Sequence, residues 1–151
     1  MKNRFFTMLA ALALMLGVAG TAQAQAVVSK TSTAQLESIM KQEGYSYTVD
    51  KDGDLVWKID GYSALLLIPK DKESILFRAS FDQSVPMSRI NSWNRTKKYS
   101  RSYLDHENDP VLELDLDLEG GVTQARIVSF LKTSNVSFSA WRNEVLVGGD
   151  K

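Results

Sequence analysis

A chain of 151 residues, 44% hydrophobic and 24% charged, suits one domain that buries about two thirds of the surface its unfolded form exposes. Its 18 Lys and Arg are matched by 18 Asp and Glu, a balance that leaves no electrostatic footprint for nucleic acid. The complete lack of cysteine excludes thiol catalysis, disulfides and cysteine-ligated metal, so packing alone must hold the domain.

Lys2 and Arg4 precede an apolar run from Phe5 to Val18, followed by Gly20 and two overlapping Ala-x-Ala sites, Ala22 to Ala24 and Ala24 to Ala26. A charged start, a short apolar stretch and small residues at its end make a secretory signal peptide, over residues 1–24, with cleavage after Ala24 or Ala26. The run falls short of the roughly 18 to 20 residues a bilayer-spanning helix needs, so no stable membrane anchor is expected. Cleavage takes two of the 18 basic residues and none of the 18 acidic ones, leaving a formal charge of −2 and a periplasmic or secreted domain over residues 31–147.

In the mature part Ser32 is placed to cap a helix, with Gln35 at the third helical position and Leu36, Ile39 and Met40 on one stripe; Gly44 ends it. Tyr45 to Asp50 reads as a strand, and Asp50 to Asp54 as the turn to a second strand that alternates Leu55, Trp57 and Ile59 with Val56, Lys58 and Asp60. Tyr62 to Ile68 is almost wholly apolar, the pattern of a strand covered on both faces. Ser74 to Phe81 follows, with Ile75, Phe77, Ala79 and Phe81 sharing a face. Pro86 suits a helix start, and Met87, Ile90 and Trp93 recur through a second helix reaching about Lys97, with Asn94 on the same stripe. Tyr99 to Leu104 and Val111 to Leu118 make a second hairpin around Asp105 to Asp109, with Pro110 at the strand entrance. In its returning strand Leu112, Leu114, Leu116 and Leu118 point in, while Glu113, Asp115 and Asp117 point out; the register leaves open whether Arg101 meets Glu113 or the leucine side. Thr123 caps a last helix carrying Ile127, Phe130, Leu131, Phe138, Trp141 and Val145, which Ser134, Asn135 and Ser137 weaken at its middle. Residues 148–151 are a frayed polar tail.

Chemistry-bearing patterns are few. Asp50-Lys-Asp-Gly-Asp brings glycine at the fourth position and no glutamate at the twelfth, which fits a hairpin turn rather than a calcium loop. Glu113, Asp115 and Asp117 stand about 7 Å apart along a strand, too far to share one small cation without a loop folding over them, and read as a solvated face, an acidic stripe for a basic partner, or an ion-pair ladder with Lys58, Arg78 or Arg101. His106, the sole histidine, sits in a turn with no nucleophile motif near it. No catalytic pair, cofactor fingerprint or metal set is present, so neither an enzyme nor a cofactor protein is expected.

The runs INSWNRTKKY (Ile90 to Tyr99), RSYLDHENDPVLELD (Arg101 to Asp115) and GGV (Gly120 to Val122) resemble the YbjN domain family, a family named for sensory transduction regulation. The resemblance implies an α+β fold, an antiparallel sheet with helices packed against it, similar to type III secretion chaperones. It also implies binding to a protein partner and, as in such chaperones, a homodimer as one assembly. In the signature around Trp93, one reading anchors the helix through Trp93 and bonds Asn94 to backbone at a strand end. The other makes Asn91, Trp93, Asn94, Arg95 and Arg101 a partner-binding groove. The expected function is an exported binding module acting through its sheet face or the groove beside the second helix. The alternative is a small-molecule or envelope-stress sensor with an apolar pocket between the last helix and the sheet.

Overall fold

The computed structural model describes residues 26–148. The signal peptide and all of the expected frayed tail except Gly148 lie outside the described residues. A short strand β1 (Val27–Val28) leads into helix α1 (Thr33–Gln42), started by Ser32, whose hydroxyl accepts from Gln35 N at 3.3 Å. Leu36, Ile39 and Met40 form its buried stripe.

Strands β2 (Ser46–Val49), β3 (Leu55–Ile59), β4 (Tyr62–Leu67) and β5 (Ser74–Ser80) follow as an antiparallel meander. Helix α2 (Met87–Thr96), strands β6 (Arg101–Leu104), β7 (Pro110–Asp117) and β8 (Val122–Thr123) and helix α3 (Gln124–Trp141) complete the order, with a π-helical segment Arg142–Val147 continuing α3. The main sheet has six strands in the order β2-β3-β4-β5-β7-β6, every pair antiparallel; β1 and β8 pair separately.

The two polar hairpins use one device. Asp50 Oδ1 accepts from Asp52 N and Asp54 N, both at 2.9 Å, and Asp105 Oδ1 accepts from Glu107 N and Asp109 N, both at 3.0 Å. Each aspartate spends its carboxylate on its own turn, as Asx-turns do. Asp50 to Asp54 is thus a hairpin turn, as the spacing indicated.

Among the described residues, α1, α2 and α3 all lie on one face of the sheet. Their buried apolar residues form a single cluster with Leu55, Trp57, Ile59, Ala64, Leu66, Ile75, Phe77, Ala79 and the leucines of β7. Aromatic rings form its centre: Phe138 lies 6.1 Å from both Phe77 and Phe81, and Trp57 meets Phe77 edge-on at 5.9 Å. Large rings of this kind each contribute on the order of 2 kcal/mol when buried.

Three expectations are corrected. The apolar strand β4 is covered on one face only: Ala64 and Leu66 are buried, whereas Leu65 and Leu67 are half-buried on the face without helices. Its hydrophobicity reflects lateral packing against Val56 and Leu76 rather than a second layer, since Val56 pairs with Leu65 and Leu67 with Leu76. Met87, placed on the buried stripe of α2, is 49% exposed, because the helix starts at the rim and only Ile90 and Trp93 reach the core. Ser134, Asn135 and Ser137 do not interrupt α3; Ser134 is buried and its hydroxyl donates to Phe130 O at 2.9 Å, satisfying itself within the helix.

Candidate functional site

The WNR signature is largely built into the structure. Trp93 is 2% exposed and its indole donates to Ser100 Oγ at 3.1 Å. Asn94 clamps the backbone of Ser102 on both sides, its amide donating to Ser102 O at 2.8 Å and its carbonyl accepting from Ser102 N at 2.9 Å. The α2 terminus is thereby stitched to β6. Asn91 and Arg95 face solvent. The groove beside α2 is filled by the π-helical segment: Arg89 Nη1 donates to Val145 O at 3.1 Å, and Lys97 pairs with Glu144 at 2.6 Å while lying 5.2 Å over the Trp93 ring. Arg89 thus serves the carbonyl end of a helical segment, where a cation is favoured.

Arg101, the fifth residue of that set, points to the opposite face of the sheet. The register settles what the sequence left open: Arg101 stands directly across from Glu113. Its Nη2 and Nε reach Glu113 Oε2 at 2.6 and 2.8 Å, Tyr103 donates its phenol to Oε1 at 2.9 Å, and Arg78 Nη1 lies 3.7 Å from Oε1. Glu113, expected on a solvated face, is only 3% exposed, because these three side chains close over it from the strands on both sides. Asp115 and Asp117 remain exposed as expected. The hydrogen bonds that Arg101 donates to Glu113, and then the carboxylate's charge, raise the guanidinium pKa above its usual value.

Tyr103 titrates above the ordinary phenol value of 10.0, chiefly because burial disfavours the phenolate and secondly because of its bond to Glu113. A raised folded value means that stability linked to this group is fully present below the unfolded phenol range and is lost as pH rises through the folded one. Tyr103→Phe should therefore flatten, without abolishing, the alkaline decline of urea midpoints above pH about 10, because Tyr45 and Tyr47 are also raised by burial. An unchanged slope would contradict the linkage.

Seen whole, the helix-free face carries half-buried Val56, Leu65, Leu67 and Leu76 beside the charged cluster of Arg78, Glu113 and Arg101. On the other side, a recess of about 530 Å³ opens between α3 and the end of β7, with Tyr99, Asp115, Arg126, Ser129 and Phe130 in its lining. It is an open, polar-rimmed groove. His106 sits on a turn tip with its side chain 88% exposed, 3.9 Å from Glu107 and in no cleft. Among the described residues there is no acidic or histidine cluster arranged to hold a metal ion, and no helix long and apolar enough to cross a membrane.

Ser102 is the residue sequence reasoning missed. Its hydroxyl accepts from Trp141 Nε1 at 2.8 Å and donates to Val111 O at 2.9 Å, while Asn94 holds its backbone. A lone serine in a strand gives no sequence signal; the only pointer was its inward parity opposite Leu112.

Among solved structures the fold is similar to YbjN from E. coli, described as "a putative transcription regulator", with a TM-score of 0.62 and 20% identity, covering 76% of this chain and 90% of that one. It is also similar to the Yersinia pestis type III secretion chaperone SycH, solved in complex with a stable fragment of YscM2, with a TM-score of 0.52 and 14% identity over 72% of this chain and 98% of that one. At these identities the likeness concerns fold. No curated protein is matched. The family model YbjN, "Putative bacterial sensory transduction regulator", matches residues 32–146, the whole of the sheet and all three helices. The chain belongs to the YbjN family.

Proposed function

We propose that this protein is an exported, non-enzymatic binding module of the bacterial envelope that engages a protein partner through the helix-free face of its sheet, in a sensing or regulatory role. One observation carries the reading: among the described residues, a six-stranded sheet with its helices on one side leaves Val56, Leu65, Leu67 and Leu76 half-buried and unroofed on the other. Apolar side chains gathered on a surface of this kind mark interaction sites. The chaperone whose fold is similar was solved with a protein fragment bound, which is consistent with a fold that holds polypeptides. Export rests on the charged start, short apolar run and Ala-x-Ala sites of residues 1–26. The sensor alternative asks for an enclosed apolar chamber; the recess beside α3 is open and rimmed by Asp115, Arg126 and Ser129, so the protein-binding reading is favoured.

A photo-reactive amino acid placed at Leu65 or Leu76 in cells should crosslink to one protein, whereas the same probe at Asn91 or Arg95 on α2 should not. Crosslinking from α2 alone would move the site to the helix side, and none from either would remove the reading. Mass measurement of the periplasmic product should give an N-terminus at Gln25 or Val27; an uncleaved cytoplasmic chain would refute export.

A further inference from the structure

Strand β6 covers only the first half of β7. It pairs from Leu104↔Pro110 to Arg101↔Glu113 and stops, whereas β5 accompanies β7 as far as Asp117. On the side away from β5, Leu114 to Asp117 therefore meet no strand among the described residues. The hydrogen-bond phase tells which backbone groups are left. Leu118 N donates to Glu73 O at 2.8 Å, so even-numbered residues here direct their amides and carbonyls toward β5. The N–H and C=O groups of Asp115 and Asp117 consequently face the open side, four backbone groups in strand geometry that meet no partner strand among the described residues.

The gap is built, not frayed. Tyr99 lies in the link from α2 into β6, so the chain joins β7 only at Arg101, and it holds φ +64, a left-handed conformation rarely held by a bulky side chain. That residue is also 79% exposed, so its ring stands at the mouth of the recess formed with Asp115, Arg126 and Phe130. Backbone strain of this kind persists where the surroundings impose it, and it gathers at functional positions.

Charge narrows what could fill the gap. Asp115 and Asp117 present carboxylates at alternate positions along the open edge, with exposed Glu119 beyond them, and none of the three has a cationic partner within 4.0 Å among the described residues. An added strand has its side chains alternating with the same period, so cationic residues would meet these carboxylates on one face while those between them face Leu114 and Phe130.

We infer that the uncovered half of β7 captures an extended segment of a partner protein as an added strand, pairing with the backbone of Asp115 and Asp117, and that the segment alternates Lys or Arg with apolar residues. The inference rests on the protein-binding reading above and names its edge. Strand addition supplies affinity through main-chain hydrogen bonds and selectivity through alternate side chains.

Three eight-residue synthetic peptides test it on the whole protein: Lys and Val alternating, Glu and Val alternating, and the Lys–Val peptide with proline at a central position. Amide hydrogen exchange read residue by residue should show the Lys–Val peptide slowing Asp115 and Asp117 about tenfold or more. The proline peptide should not, because it lacks the donor a ladder needs. An Asp115→Lys, Asp117→Lys double variant, checked for unchanged melting, should reverse the preference toward the Glu–Val peptide. Tyr99→Gly should raise the melting temperature by releasing the left-handed tyrosine and yet weaken peptide binding.

Equal binding by the proline peptide, or protection anywhere but the β7 edge, would overturn the inference. So would peptide-free protection that grows with protein concentration, since the occupant would then be a second copy. If crosslinking at Leu65 persists in the double variant while the peptides leave Asp115 and Asp117 unprotected, the edge is refuted and the protein-binding reading stands. Absence of crosslinking at every site in the wild-type protein refutes that reading instead.

Discussion

Trp141→Ala is expected to lower the free energy of unfolding by about 3–5 kcal/mol, a large share of the total a domain of this size commands. Trp141 is fully buried, packs 6.1 Å from Phe81, and ends α3 where the chain passes into its π-helical segment. Its indole nitrogen also belongs to a relay. The Ser102 hydroxyl accepts from the indole and donates to Val111 O, and Asn94 occupies both backbone groups of Ser102, so α2, α3, β6 and β7 meet at one serine. Trp141→Phe keeps most of the packing and should cost about 1–3 kcal/mol, and Ser102→Ala a similar amount by leaving a buried indole N–H without an acceptor. The double variant should cost clearly less than the sum, since the second change removes a group the first has already stranded. Urea unfolding followed by circular dichroism measures all four proteins. Additivity within about 0.5 kcal/mol would mean that the relay contributes nothing beyond packing.

The relay also marks where local sequence pattern ends and tertiary packing begins. Strand β5 was legible in full: Ile75, Phe77, Ala79 and Phe81 alternate strictly, and all lie on the helix side. So were the helix starts, where Ser32 and Thr123 each cap through a hydroxyl that accepts from a backbone amide three residues on. These signals are local, and local rules decide them. Coverage of β4 is not local. Tyr62 to Leu67 is apolar because its neighbours Val56 and Leu76 are, and no pattern within six residues distinguishes a roofed sheet from an open one. The pairing of Val27–Val28 with Val122–Thr123 was invisible for the same reason, two residues meeting two others across the length of the domain. At the site, alternation placed Glu113, Asp115 and Asp117 on one face correctly, yet their burial differs because Arg101 and Tyr103 reach only the first. Register decides that difference, and register depends on the hairpin turn Asp105 to Asp109, whose Asx bonds emerge only in three dimensions. The five residues grouped by the family signature divide likewise: Trp93 and Asn94 hold α2 to β6, Asn91 and Arg95 face water, and Arg101 crosses to the opposite face.

Glu113→Ala should cost about 2 kcal/mol, and the reason it should not cost more lies in its partners. Removing one member of a fully buried ion pair typically costs about 3–5 kcal/mol, because the other charge is left dry. Here the glutamate side chain is 4% exposed, but those of Arg101 and Arg78 are 68% and 36% exposed, so both guanidiniums can turn to water once Glu113 is gone. What is lost is the set of charge-assisted hydrogen bonds from Arg101 and Tyr103, offset in part by the water that the freed guanidiniums then meet. The reverse truncation differs in kind. Arg101→Ala leaves the buried carboxylate with only the Tyr103 phenol and the more distant Arg78, and should cost about 1–2 kcal/mol with a clear dependence on salt, which can then reach Glu113. Both changes loosen the point where β6 joins β7, since Arg101 and Glu113 are the terminal pair of that ladder. Hydrogen exchange at the Arg101 and Ser102 amides should quicken in either variant, while the amides of β4 keep their rates. If both variants unfold at the wild-type urea concentration and β6 exchanges no faster, the cluster is only a surface ornament of the sheet, and the end of β6 must be fixed by Asn94 and Tyr99 alone.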